Sequence, residues 1–281
     1  MTNTTDSAGQ GVSIGSATAK RGGPALGDTE LRRLRVFNAA AGVLHLLSAV
    51  AVLLLNNGFR IGISDFWLNG PPGSPVEDGI ITQAFTYPLA VAVAAFLLLS
   101  AFFHFLVALP MAEQYRRELS ATRNRFRWVE YSMSATLMIV IIATITGISD
   151  FTALIAIAGA NVAMILFGWV MEMVNEPGPT TWWGPFWFGC IAGLTPWIAI
   201  VASLVYGVNA VDGAEQPPTF VYGIIVSLFV LFNCFAVNQW LQYRRVGRWA
   251  DYRFGERCYI ALSFIAKSAL AWQVFANILV D

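Results

Sequence analysis

The chain of 281 residues is 57% hydrophobic and 12% charged, with a mean hydropathy of +0.61. A soluble domain devotes about 25% of its residues to Asp, Glu, Lys and Arg, so half that share excludes a water-soluble globule and indicates a membrane protein. The formal net charge of zero, from 17 basic and 17 acidic residues, gives no sign of a nucleic-acid partner.

The chain begins with residues 1–30, which are rich in Thr, Ser, Gly and Ala and predict a flexible tail. Residues 31–281 are predicted to form one helical domain. Seven apolar segments in it are long enough to cross a bilayer core of about 30 Å. Their predicted bounds are 33–55, 85–109, 124–147, 150–174, 185–208, 219–244 and 255–280. The sequence therefore predicts an all-α membrane protein, a bundle of seven transmembrane helices, with a kink at Pro196 in the fifth.

The connection between the first and second segments is long, about 30 residues, and contains the turn formers Asn69-Gly70-Pro71-Pro72-Gly73. Its Phe66 and Trp67 indicate that it packs back onto the protein. A short β-hairpin is one conformation that this loop allows.

The basic residues predict the orientation of the bundle. Fifteen of the 17 lie in the tail, in the second-to-third connection, in the sixth-to-seventh connection, or at their margins. The opposite end has Arg60 alone, and Lys267 is the one that remains. By the positive-inside rule the N-terminus is cytoplasmic, while the C-terminus and the long first loop are extracellular. We expect an integral protein of the plasma membrane.

Lys267 lies about a dozen residues into the seventh segment, near the bilayer midplane at about 1.5 Å per residue. A charged lysine there costs roughly 2.5–3.5 kcal/mol on insertion scales. One interpretation is a structural ion pair with a carboxylate. The other is a desolvated amine suited to forming a Schiff base with an aldehyde, which requires a counter-anion within the membrane.

Glu130 is the one carboxylate well placed to balance Lys267, in the cytoplasmic half of the third segment. Ser134 follows it by one helical turn on the same face, and Ser263 precedes Lys267 by one turn. These hydroxyls predict a polar site around the amine. The alternative is that Glu130 is an interfacial residue paired with a neighbouring arginine such as Arg127.

Both histidines of the chain lie inside predicted segments. His45 has Asn38 two turns toward the cytoplasm, and His104 has Ser100 one turn outward. Two interpretations are open: the imidazoles hold water or a proton released by a Schiff base, or they are ordinary core residues.

The polar residues lie on one side of Lys267. Glu256 continues its stripe to the inner surface, whereas the outward positions are Leu270 and Val274. A proton pump needs relay groups on both sides of such a switch. The pattern therefore favours a proton that moves locally.

Aromatic residues suit a slot for a flat conjugated ligand. Phe186 and Trp187 open the fifth segment, and Phe232 and Asn233 lie in the middle of the sixth. Ordinary packing of the bundle is the alternative. The three cysteines have no metal-ligand spacing, so no metal site is predicted.

The sequence resembles the heliorhodopsins, retinal proteins with an inverted membrane orientation, over residues 34–280. The resemblance is carried by six strings: LNGPPG at 68–73, FRWVEYS at 126–132, NVAMILFGW at 161–169, FWFGCIAG at 186–193, GER at 255–257 and AKSALAW at 266–272. It implies all-trans retinal on Lys267 as a protonated Schiff base, with Glu130 as counterion and Ser263 beside it.

Two groups of site residues are expected. Those around the retinal are Lys267, Glu130, Ser263, Ser134, Trp187, Phe232, Asn233 and Met164. Those of a proton-accepting cavity are His45, His104, Ser100, Asn38 and, by the resemblance, Glu172 at its cytoplasmic end. The resemblance also implies a homodimer in the lipid bilayer, a slow photocycle and no ion transport.

The expected function is a light sensor that signals to an unidentified cytoplasmic partner and is not an enzyme. A light-driven pump or light-gated channel with the same chromophore is the alternative. A seven-helix scaffold or retinal-binding accessory protein is the third possibility.

Overall fold

The structure is a computed structural model that describes residues 26–210 and 216–279. Within these residues the chain forms eight α-helices and one two-stranded sheet. Their bounds are α1 Asp28–Leu55, β1 Arg60–Trp67, β2 Ile80–Pro88, α2 Leu89–Ala108, α3 Ala112–Ser120, α4 Arg125–Ile145, α5 Phe151–Val174, α6 Gly184–Ala210, α7 Thr219–Tyr243 and α8 Tyr252–Val274. All of these helices except α3 are long and apolar enough to span a membrane. The predicted bundle of seven spans is confirmed.

Side-chain caps explain where three spans begin. The Asn124 side chain accepts the amide of Arg127 at the start of α4. Asp150 accepts the Ala153 amide before α5, and Asp251 caps α8. Such caps satisfy amides that have no partner in the first turn. The Asp251 cap starts α8 at Tyr252, three residues before its predicted start at 255. Most other helix ends differ from their predicted positions by a few residues.

The predicted tail, residues 1–30, falls for the most part outside the described residues. At the first described residue, Leu26, the side chain is buried and the amide donates to the Ser120 hydroxyl at 3.2 Å. Helix α1 starts at Asp28, so the last residues assigned to the tail are helical.

The connection between α1 and α2 folds into the antiparallel pair β1–β2, with a register irregularity between Ile63 and Ser64. Ser64 ties this hairpin to the α4–α5 turn, because its amide donates to the Ser149 carbonyl at 2.8 Å and the two hydroxyls lie 2.8 Å apart. We call this side of the bundle the hairpin end and the opposite side the α3 end. Which end faces the cytoplasm stays a prediction.

Helix α3 occupies a connection that the sequence showed only as arginine-rich. It is amphipathic: Ala112, Tyr115 and Leu119 are buried on one face, and charged side chains occupy the other. Its buried face packs on the α3 end beside Leu31 and Leu34 of α1.

The half of the bundle near the hairpin end has an apolar core. Leu270, Ala271 and Val274 of α8 belong to one buried cluster together with Val93 of α2 and Ile139 of α4. The buried charges therefore lie at the level of Lys267 or closer to the α3 end.

Candidate functional site

The centre of the site is a buried ion pair between α8 and α4. Lys267 Nζ lies 2.6 Å from Glu130 Oε1, and the two residues are 3% and 5% exposed. A buried charge is tolerated when it is paired and hydrogen-bonded. The carboxylate thus meets the requirement for a counter-anion at the amine.

Three serines complete the surroundings of this pair. Lys267 Nζ donates to Ser263 Oγ at 2.7 Å. Ser100 of α2 and Ser134 of α4 each donate to Glu130 Oε1 at 2.7 Å. All three are buried. The one-turn spacings predicted for Ser134 and Ser263 bring these hydroxyls to the charges.

The alternative partner of Glu130, Arg127, lies elsewhere. Its guanidinium is buried, ion-paired with both Glu172 and Glu256, and stacked 3.8 Å from the Tyr259 ring. The sequence places Arg127 among the basic residues of a connection, and this assignment is corrected: it is an interior charge. The two carboxylates also accept hydrogen bonds from Tyr115, Asn124, Trp128 and Tyr252.

A small polar cavity of about 40 Å³ joins the two charge clusters. A buried water needs about 10–15 Å³, so the cavity has room for a few water molecules. Its lining includes Asn38, Ser100, His104, Tyr115, Arg127, Glu130, Glu256 and Ser263. Of the expected proton-accepting residues, Asn38, Ser100 and His104 line this space. His45 and Glu172 do not line it, and Glu172 lies behind Arg127.

The histidines are arranged as a stack. The ring centroids of His45 and His104 are 5.6 Å apart, and an Asn38 oxygen lies 2.8 Å from His104 Nδ1. Asn38 in turn donates to the Leu34 carbonyl. Neither nitrogen of His45 has a hydrogen-bond partner among the described residues. His104 is thus the histidine that contacts the cavity, and His45 supports it from behind.

A second, larger cavity lies on the other side of Lys267. It has a volume of about 340 Å³, within the range of about 300–1,000 Å³ typical of small-molecule sites. Lys267 and Ser263 form part of its wall, together with Tyr131, Trp197 and Phe232. An apolar cavity with a single amine suits retinal, whose hydrocarbon chain ends in one aldehyde. The residues present therefore fit the expected chromophore.

Two glycines of α6 make room for this cavity. A Cβ at Gly193 would lie 2.2 Å from Met164 Sδ, and one at Gly189 would lie 3.3 Å from Phe167 Cβ. Met164, one of the expected retinal-binding residues, lines the cavity. The close approach of α5 and α6 holds it there.

The residues predicted to flank a flat ligand do not all line the larger cavity. Phe232 and Asn233 line the cavity, and Asn233 also reaches the outer surface of the bundle. Trp187 is 59% exposed and lies outside the lining, in edge contact with Phe186. Trp197, not singled out from the sequence, takes the place on the wall, 5.6 Å from the Phe232 ring.

The positions of several further residues in the site were not predicted from the sequence. Tyr115 and Asn124 lie in or beside the arginine-rich connection, where polar residues are ordinarily solvated. Arg127 is three residues before Glu130 and so on the same side of α4. That spacing was the available signal that its charge points into the bundle.

Chemically, the arrangement can hold a positive charge at Lys267 Nζ and compensate it with Glu130. It can also accept a proton toward the α3 end, where carboxylates, an imidazole and a cavity with room for water lie next to one another. Toward the hairpin end, the chain has no ionisable side chain between Lys267 and Leu279.

Comparison with known proteins identifies a family for the chain. A family model described as Heliorhodopsin matches residues 34–279. No curated protein sequence gives a significant match.

Solved structures share the fold at low sequence identity. The transmembrane domain of the rhodopsin phosphodiesterase of Salpingoeca rosetta has a TM-score of 0.61 at 12% identity, covering 88% of this chain and 85% of that chain. A light-driven proton pump of Leptosphaeria maculans has a TM-score of 0.58 at 14% identity, covering 90% and 98%. A cyanorhodopsin of Tolypothrix sp. NIES-4075 has a TM-score of 0.51 at 16% identity, covering 88% and 92%.

Proposed function

The chain belongs to the heliorhodopsin family and is a retinal-binding rhodopsin of the membrane, and from this premise we propose that it is a light sensor. The observation that carries the proposal is the buried Lys267–Glu130 pair, in which Lys267 lies at the wall of an apolar cavity. Retinal, bound in the dark in its all-trans form through an imine to Lys267, supplies the absorption of visible light and the isomerisation.

The protein's own groups set the charge at the attachment point. Glu130 balances a positive charge on Lys267 Nζ, and Ser100 and Ser134 hold the carboxylate in place through Oε1. Ser263 accepts a hydrogen bond from the same nitrogen. A proton that leaves Nζ has the small polar cavity beside it, with His104 in its wall.

The one-sided distribution of ionisable groups supports sensing over pumping. Helix α4 has no Asp, Glu, Lys, Arg or His after Glu130, and α2 has none on the hairpin side of His104. A proton crossing the bundle would need relay groups in that half. The proton is therefore moved and returned on the α3 side.

The remaining parts of the proposal concern the cell. The protein lies in the plasma membrane with the α3 end in the cytoplasm, acts as a homodimer without enzymatic activity, and signals to a cytoplasmic partner during a slow photocycle. The basic residues at the α3 end support this orientation.

The test is to reconstitute the protein with all-trans retinal in liposomes and record its spectrum, its response to a flash, and the external pH under light. We expect a visible band, a slow return to the dark spectrum, and no sustained pH change. Sustained directional proton or ion flux would show a pump or channel instead. Absence of a visible band would contradict a photoreceptor altogether.

A further inference from the structure

The two carboxylates around Arg127 differ in how fully they are hydrogen-bonded. Glu172 accepts four donors: the Arg127 guanidinium, Tyr252 OH, Trp128 Nε1 and the Asn124 amide. Glu256 accepts three: Arg127, Tyr115 OH and the Asn124 side-chain amide. Donors stabilise the ionised form of a carboxylate, and Glu256 has one fewer of them than Glu172.

Access to the small polar cavity also distinguishes Glu256 from Glu172. Glu256 lines the small polar cavity together with Glu130, whereas Glu172 does not. Two carboxylates also share one guanidinium, so the cluster has an excess negative charge that a proton neutralises. Glu256 is therefore positioned to receive a proton at the far end of the space that begins at Glu130.

Glu256 is also bonded to an element on the surface. Tyr115 of α3 donates its hydroxyl to Glu256 Oε1 at 2.9 Å and is 1% exposed. Burial keeps the pKa of Tyr115 well above its ordinary value, and the neighbouring Glu256 raises it further. The hydroxyl thus remains a donor at neutral pH.

The other polar attachments of α3 are a part-buried hydrogen bond of 3.2 Å from the Leu26 amide to the Ser120 hydroxyl and ion pairs at the surface. Arg116 pairs with Asp28, whose side chain is 89% exposed, and Glu118 pairs with Arg125, whose side chain is 45% exposed. Exposed ion pairs contribute little to stability. The buried Tyr115–Glu256 bond is therefore the polar contact that most firmly holds α3 on the bundle.

We propose that Glu256 receives the proton released at Lys267 and that Tyr115 is the positioning residue through which this protonation loosens α3, making α3 the surface that a cytoplasmic partner reads. This rests on the proposed light-sensing function and assigns its output element. The proton leaves Nζ and is added to a Glu256 oxygen, so the positive charge at one group and the negative charge at the other are both lost.

The groups that face Glu256 determine the effect of its protonation. These are Arg127 of α4, Asn124 at the cap of α4, and Tyr115 of α3, with Glu172 of α5 on the other side of Arg127. A neutral Glu256 is a weaker acceptor than a carboxylate, because hydrogen bonds to charged groups are the stronger ones. The Tyr115 bond weakens, while Glu172 keeps Arg127 in place.

The experiment measures backbone hydrogen exchange of residues 109–124 by mass spectrometry, with full-length protein in nanodiscs, in the dark and under continuous light. The variants are Tyr115→Phe, which removes the donor, and Glu256→Gln, which mimics the neutral acid. The matched control is Tyr87→Phe, which removes a tyrosine hydroxyl bonded to Thr144 at 2.7 Å near the hairpin end. An infrared difference spectrum tests for a protonated carboxyl that is absent from Glu256→Gln.

In the wild type we expect light to speed α3 exchange by about tenfold, as expected for loss of one charge-assisted hydrogen bond. Tyr115→Phe and Glu256→Gln should exchange fast already in the dark and respond little to light. Tyr87→Phe should behave as wild type.

Unchanged α3 exchange in a protein with a normal visible band and photocycle would overturn this inference and leave the light-sensing proposal standing. A full light response in Tyr115→Phe would also overturn it. If no visible band forms, the light-sensing proposal fails instead. The dark comparison of wild type with Tyr115→Phe then decides separately whether the tyrosine anchors α3.

Discussion

Lys267 Nζ donates to Glu130 Oε1 across 2.6 Å, between two helices, and both side chains are buried. Each of these charges makes the burial of the other tolerable. Ser100 and Ser134 donate to the same carboxylate oxygen, so its position is fixed from α2 as well as from its own helix. Substitutions at this pair should therefore change both the stability of the bundle and the colour of the pigment.

Lys267→Ala should strongly destabilise the retinal-free protein. It leaves Glu130 buried without its partner, and breaking a buried ion pair from one side costs about 3–5 kcal/mol. The double variant Lys267→Ala/Glu130→Gln should recover much of this loss, since no uncompensated charge remains. Unfolding in detergent by a chemical denaturant measures both. Equal instability of the single and double variants would contradict the assigned role of the charge.

Glu130→Gln should move the visible absorption band of the retinal-loaded protein to the red. The carboxylate stabilises a positive charge near Nζ in the ground state, so its removal narrows the gap to an excited state in which that charge is spread out. Ser134→Ala should produce a smaller shift in the same direction.

Ser132→Ala is the matched control for these spectra. The Ser132 hydroxyl donates to the Val129 carbonyl at 2.8 Å and not to Glu130. Its spectrum should equal that of the wild type. A band that does not move in Glu130→Gln would exclude Glu130 as the counterion.

Trp197→Ala should lower the yield of pigment formed with added retinal. Trp197 is 6% exposed and packs edge-on against Phe229 and Phe232 in the cavity wall. Trp187→Ala removes an equally large ring that is 59% exposed and should leave the yield unchanged. Titration of each purified variant with retinal, followed at the visible band, compares them. A lower pigment yield in Trp187→Ala than in Trp197→Ala would show instead that Trp187 belongs to the binding site.

Gly168→Ala should reduce thermal stability, because a Cβ there would lie 2.4 Å from the Trp128 ring. Displacing that ring also strains its 2.6 Å bond from Nε1 to Glu172. Gly159→Ala, on the same helix with nothing within 4 Å of an added Cβ, should be neutral or stabilising by about 0.5–1 kcal/mol. Thermal unfolding in one detergent measures both, and equal effects would contradict the tight contact of α4 with α5.

Contacts within one helix could be predicted from the sequence, and contacts that depend on helix rotation could not. Ser263 and Ser134 were found because each is one turn from a charge. The Lys267–Glu130 pair spans 137 positions, and it was inferred because no other carboxylate suited the midplane amine. The apolar length of the spans was sufficient to count them.

Arg127 and Trp187 show where this reasoning fails. Both lie near the ends of spans, where a side chain is equally able to face water, lipid or the bundle. Trp187 and Trp197 are ten positions apart, close to a quarter turn out of phase on a helix, and only packing decides which faces the cavity. Helix α3 was hidden because its buried face consists of three residues within a charged connection.

The one-sided placement of the buried charges has an electrical consequence. Every ionisable group beside the small cavity lies at the level of Lys267 or closer to the α3 end, so a flash displaces charge over only part of the membrane thickness and the return retraces it. Oriented protein on a capacitive electrode would give a transient photovoltage after a flash. The sign of this photovoltage would reverse while the displaced charge returns. Under steady illumination the net current would be zero.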